Sequence, residues 1–102
     1  MTIPDNSRRL TLQSTVVASQ DQVSSDLAGE TVLLSMTTAH YYGFEGVGSR
    51  IWELVREPII VSAVCAAIAQ EYDVAPERCE ADVLDFLHKL ADKGLIEVRS
   101  GA

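Results

Sequence analysis

The chain offers no run of residues suited to crossing a bilayer. Its longest apolar stretch, IIVSAVCAAIA from Ile59 to Ala69, is about half of the roughly 20 residues that a spanning helix needs. The opening residues MTIPDNSRR are polar where a signal peptide carries its apolar segment. The expectation is a cytoplasmic protein with no membrane partner.

Basic residues are few. Eight Lys and Arg stand against fifteen Asp and Glu, a formal net charge of −7. Phosphate binding draws its affinity from clustered Lys and Arg. Here only Arg8 and Arg9 adjoin, in a polar, Pro-containing stretch expected to be a flexible tail. No nucleic-acid partner is expected.

Cysteine and histidine are scarce too, with two of each. Cys65 and Cys79 fall on apolar faces of predicted helices, without a Cys or His at ligand spacing. They are expected as reduced core residues, and no metal site is expected. His88 lies alone on the polar side of its helix, neither ligand nor base; both histidines are expected to be exposed and both cysteines buried, so no nucleophile and base are expected to converge. No HExxH motif and no phosphate loop occur, and Gly43, Gly46 and Gly48 of GFEGVG have the wrong spacing for a dinucleotide fingerprint. The chain is expected to be no enzyme and to use no cofactor.

What is present is an ordinary globular composition, 47% apolar and 23% charged over 102 residues, enough for one modest domain. Residues 1–9 are assigned to the tail, 10–98 to a single domain and 99–102 to a flexible end. LTLQSTVVA (Leu10 to Ala18), TVLLSM (Thr31 to Met36) and AHYYGF (Ala39 to Phe44) alternate or are β-branched and predict three strands. The polar run SQDQVSSDLAGE is a connection between the first two. Short links make an antiparallel meander, since parallel pairing needs a long crossover.

After Phe44 the period becomes helical: Val47, Ile51, Trp52 and Val55 predict a helix over about 46–56. A second helix follows over about 60–72, apolar nearly all round and therefore central. Pro76 then sits well in the first turn of a third helix running to Lys93. Gly94 provides a left-handed cap, and Leu95 supplies the apolar contact beyond it. The closing LIEV predicts an extended piece packed back on the domain. The fold class is α+β, winged helix-turn-helix-like, with an N-terminal three-stranded antiparallel sheet followed by three helices.

The third helix has an apolar arc of about 160°, against about 100° for a simple core stripe. The excess either packs on two neighbours or leaves a flank around Phe86 and Leu90, rimmed by Asp82, Lys89 and Lys93, for a second surface. Alternation sends Tyr41 and Tyr42 to opposite faces of the third strand, without saying which faces the helices.

The paired tyrosines of AHYYGF, Gly48 and Trp52 in the first helix, and Asp82, Phe86, Leu87, Gly94 and Leu95 around the third together resemble the PqqD-like family. These are small recognition elements for leader peptides of ribosomally made, post-translationally modified peptides (RiPPs). The stand-alone proteins of lasso-peptide pathways are the nearest in pattern, and the likeness covers about Thr15 to Val98. It implies that a leader peptide adds as a strand to the third strand's edge, at Thr38, Ala39, His40, Tyr41 and Tyr42. The facing wall would be the third helix, through Asp82, Val83, Phe86, Leu87, Lys89, Leu90 and Lys93.

The implied partners are the precursor leader peptide, a leader peptidase resembling a cysteine protease, and the cyclase. Ile60 departs from the family pattern, which has Thr or Ser opening the second helix, so a side-chain cap of about 1 kcal/mol is expected to be missing. The competing reading is a winged-helix DNA-binding regulator. The third helix, richer in acids than bases, speaks against it.

Overall fold

The computed structural model describes residues 10–20, 22–27, 30–36 and 38–99. The expected tail, 1–9, lies outside them. Arg99, placed in the expected flexible end, closes a strand, and the residues after it are outside the description.

The elements in chain order are β1 (Thr15–Ala18), β2 (Gln22–Leu27), β3 (Glu30–Ser35), β4 (Tyr41–Glu45), α1 (Val47–Val55), β5 (Ile59–Ile60), α2 (Val61–Tyr72), α3 (Pro76–Asp92) and β6 (Ile96–Arg99). An antiparallel three-stranded sheet followed by three helices makes the α+β class expected from the sequence; two of its strands, β3 and β4, are expected ones, and the third is not. The meander is β2-β3-β4, whereas β1 pairs with β5 and β6 in a separate small sheet of order β5-β1-β6. The polar run assigned to a connection contains β2, in register with β3 from Gln22↔Ser35 to Leu27↔Glu30. Its Ser and Asp residues have low strand propensity, and pairing with β3 overrides that preference.

The meander has one covered and one open face, as an antiparallel sheet permits. Thr31, Leu33 and Ser35 of β3 are buried, while Val32 is exposed. On the covered side Thr31 donates a hydrogen bond to Asp26 Oδ1 at 3.0 Å and meets the Ser49 hydroxyl of α1. Arg56, at the end of α1, donates to Asp26 Oδ2 at 3.2 Å. This polar chain fixes where α1 crosses the sheet. Arg50 then clamps α1 to α2, its Nε and Nη2 each 2.9 Å from the Glu71 carboxylate.

Trp52, Val55, Leu33, Val64, Val83 and Leu87 belong to one core shared by the sheet and all three helices. The second helix is not apolar all round in effect. Val61, Val64, Cys65 and Ile68 are buried while Ser62, Ala63 and Ala66 face solvent, because alanine suits either environment.

No side chain caps α2 at Ile60, as expected. Its first amides are satisfied otherwise: Val61 N–H donates to the Ser14 carbonyl at 2.8 Å and Ser62 N–H to the Leu12 carbonyl at 2.9 Å. The segment read as the front of a strand is thus a backbone cap for a helix. At the end of α3, Gly94 has φ 73°, and Leu95 N–H bonds the Leu90 carbonyl at 2.9 Å. Glycine adopts that left-handed conformation without a Cβ penalty.

Candidate functional site

Within the meander β4 is hydrogen-bonded to β3 alone, so its far edge carries backbone groups that have no partner among the described residues. The register runs from Leu34↔Tyr41 to Glu30↔Glu45, and Ser35 N–H donates to the His40 carbonyl at 2.9 Å. In an antiparallel ladder hydrogen-bonded pairs alternate with non-bonded ones. Tyr42 and Phe44 therefore spend their amides and carbonyls on β3. Tyr41, Gly43 and Glu45 turn theirs to the open edge.

The same alternation sorts the side chains. Tyr41 is 73% exposed, whereas Tyr42 and Phe44 lean on the core. Tyr42 lies under Lys93, whose Nζ is 5.8 Å from the ring centroid. Phe44 meets Phe86 of α3 edge-on at 5.4 Å and Trp52 at 6.3 Å. Beside this aromatic contact, between β4 and α3, opens a cavity of about 500 Å³. Val47, Ile51, Ile68, Val74 and Val83 make its walls apolar, and Asp82 stands among its lining residues.

Of the residues expected at the site, Thr38, Ala39 and His40 belong to the β3–β4 turn and not to the strand. Ala39, at φ 60°, donates its N–H to the Ser35 carbonyl at 2.8 Å. That places the open rail at Tyr41, Gly43 and Glu45, later than the expected stretch. Asp82, Val83 and Phe86 meet at the cavity. Lys89 is exposed and paired with Asp85 at 3.2 Å. Leu87 and Leu90 are 0% and 2% exposed and serve the core instead of the groove. His88 is half-buried, correcting its expected exposure, and its Nε2 is buried with no hydrogen-bond partner among the described residues.

Sequence reasoning missed Ile68 of α2, Val74 of the connection between α2 and α3, and Cys79 of α3, all of which line the cavity. Phe44 was legible, since it shares a face with Tyr42. Cys65 and Cys79 are buried free thiols, and Cys79 Sγ donates to the Cys65 carbonyl at 3.4 Å. Burial, with Cys79 nearby, pushes the Cys65 thiol up to about 11, and burial raises Cys79 as well. Neither is a ready nucleophile. Among the described residues no group of three or more His, Cys, Asp or Glu could hold a metal ion, and no helix is long and apolar enough to cross a membrane.

The family model for coenzyme PQQ synthesis protein D (PqqD) matches residues 30–96. The chain belongs to the PqqD-like family. Among solved structures, this PqqD-like chain is similar to TbiB1 in complex with the TbiA(beta) leader peptide. The identity is 41% and the TM-score 0.75, over 79% of this chain and 94% of that one. The solution structure of the PqqD truncation of Methylobacterium extorquens PqqCD, described as a functional, stand-alone RiPP recognition element, has the same fold. It shows 24% identity and a TM-score of 0.66, covering 81% of this chain and 88% of that one. No curated protein matches this PqqD-like chain.

Proposed function

We propose that this PqqD-like domain binds the leader peptide of a ribosomally synthesised precursor, of the lasso-peptide class, and presents it to a leader peptidase and the cyclase. The leader adds as a strand to the open edge of β4 and lies against α3. The observation that carries this reading is the coincidence of a strand edge at Tyr41, Gly43 and Glu45, unpaired among the described residues, with an apolar cavity that ends on α3. The leader complex of the 41% identical TbiB1 supports it.

Magnitudes favour a groove that offers both features. A backbone hydrogen bond contributes about 1 kcal/mol net, while ordering each peptide residue costs about 1–2. Edge pairing alone does not hold a peptide. An apolar side chain buried in the cavity adds about 1.5–3 kcal/mol and tips the balance. This is strand addition, with main-chain bonds for affinity and a pocket for specificity.

Presentation needs a second surface. Val23, Leu34 and Tyr41 lie in one row across the open face of the meander, with Val23 59% and Tyr41 73% exposed. A leader strand added at β4 would extend that face, so the peptidase, a protein resembling a cysteine protease, would meet domain and leader together. The role is binding without catalysis, in the cytoplasm where precursors are made. DNA binding is disfavoured because α3 carries Glu77, Glu80, Asp82, Asp85 and Asp92 against Arg78 and Lys89.

The test is titration of the ¹⁵N-labelled protein with the synthetic leader encoded beside the gene. Amide shifts confined to Tyr41–Glu45, the cavity lining and the exposed face of α3 are expected. A titration that moves none of them overturns the reading.

A further inference from the structure

We infer that the cavity end of the groove selects a Lys or Arg immediately adjacent, in the bound peptide, to the residue whose side chain enters the cavity. This rests on the leader-binding reading and adds a specificity determinant to it.

The starting observation is a pair of like charges. Glu30 and Glu45 are direct cross-strand partners at the end of the β3–β4 ladder, and both are exposed. Alternation from the bonded 35/40 position makes theirs a non-hydrogen-bonded pair. Side chains stand closest in such pairs. Like charges directly opposite are destabilising, and neither carboxylate has an ion-pair partner among the described residues.

The second observation is where the pair sits. Glu45 closes the open edge and borders the cavity, so a strand added there puts one of its residues directly across from Glu45. Strand side chains alternate. If one peptide side chain points inward to the cavity, its neighbour in sequence points outward, into the row that already holds Glu30 and Glu45. A cation there meets two unpaired carboxylates and relieves their repulsion.

The inner wall has the same sign. Asp82 of α3 lines the cavity, and its partner Arg78 is 3.6 Å away with both side chains more than two-thirds exposed. An exposed pair of this kind is weak and leaves Asp82 close to its full charge. Toward the other end of the groove the sign reverses at Lys93, above Tyr42, so the preference for a cation is local to the cavity end.

The experiment uses the full chain and the leader encoded beside its gene, with each Lys and Arg of that leader replaced singly by Gln and by Glu. Affinities are measured by fluorescence anisotropy against the wild type, Glu45→Lys, and Glu97→Lys. The last makes the same charge change on the exposed face of the remote β6. One basic leader residue, next to an apolar or aromatic one, is expected to lose about fivefold as Gln and more as Glu. Glu45→Lys restores the Glu version and Glu97→Lys does not, and the preference shrinks at about 0.5 M salt.

Without peptide, Glu45→Lys is also expected to raise the melting temperature, because it removes the Glu30 repulsion; this reading also shows that the variant folds. A leader that binds normally while no basic residue couples to Glu45 overturns the inference and leaves the leader-binding reading intact. A leader that does not bind the wild type overturns both.

Discussion

Phe86 of α3 meets Phe44 of β4 edge-to-face, centroids 5.4 Å apart and planes at 76°, and the contact closes over Gly48. A Cβ on Gly48 would lie 3.4 Å from Phe86 Cζ and 3.5 Å from Phe44 Cβ. The absent side chain lets both rings settle on the start of α1. Sheet and third helix meet at this aromatic pair, and the cavity opens beside it.

Phe86→Ala is expected to remove a cavity wall while leaving the deeper core of Val83, Leu87 and Leu90 in place. Leader affinity should fall at least tenfold with the circular dichroism spectrum retained. Unchanged affinity would place the peptide elsewhere.

Trp52 is 1% exposed in the shared core. Trp52→Ala is expected to cost about 3–5 kcal/mol, a large part of the 5–15 typical of a domain. A denaturant midpoint within experimental error of the wild type would contradict that assignment.

Gly43→Pro tests the rail. The Gly43 amide points away from β3 by register, so proline there removes an outward donor and spares the ladder, as edge strands allow. A folded protein with leader binding lost is expected. His40→Pro would instead disturb the turn, where His40 N–H faces the Thr38 hydroxyl at 3.4 Å.

Tyr41→Lys separates binding from presentation. Leader affinity is expected to stay within about threefold, because the Tyr41 ring lies on the open face. Cleavage by the partner peptidase should fall, since a charge then interrupts the Val23–Leu34–Tyr41 row. Equal loss in both assays would assign Tyr41 to the groove.

The thiols set an alkaline limit. The Cys65 thiol is raised from 9.0 to about 11, so the folded state holds its proton more tightly than the unfolded one. The stability this confers is intact below about pH 9 and is lost as pH rises toward 11. Cys65→Ala should flatten that alkaline decline in chemical-denaturation midpoints. In the acid direction Arg50 holds Glu71 below its ordinary 4.5, a contribution present above that pH and lost as pH falls through the lowered value.

The helical half was legible because its signals are local. Pro76 and Gly94 bound α3, Val47 to Val55 repeat at helical spacing, and each helix forms within a few residues of where those signals place it. The strands were harder. β2, with Ser24, Ser25 and Asp26, carries no hydrophobic alternation strong enough to announce a strand; its identity comes from β3 beside it. Thr15–Ala18 reads correctly as a strand, yet its partners are Ile59–Ile60 and Ile96–Arg99, pairings that no local pattern encodes.

By itself the sequence determined the class of protein. The paired tyrosines ahead of Gly48 and Trp52, with Asp82, Phe86, Leu87, Gly94 and Leu95 further on, carried the resemblance to the PqqD-like family, and the family model matching residues 30–96 bears it out. The excess of acids over bases spoke against a nucleic-acid binder. Only the tertiary structure decided that Tyr42 faces the helices and Tyr41 the solvent. It also moved the rail from Thr38–Tyr42 to Tyr41–Glu45, sank Leu87 and Leu90 into the core, and set Glu30 against Glu45. Each of these depends on register between strands and on the angle at which α3 crosses the sheet. Both are fixed by contacts between residues far apart in the chain.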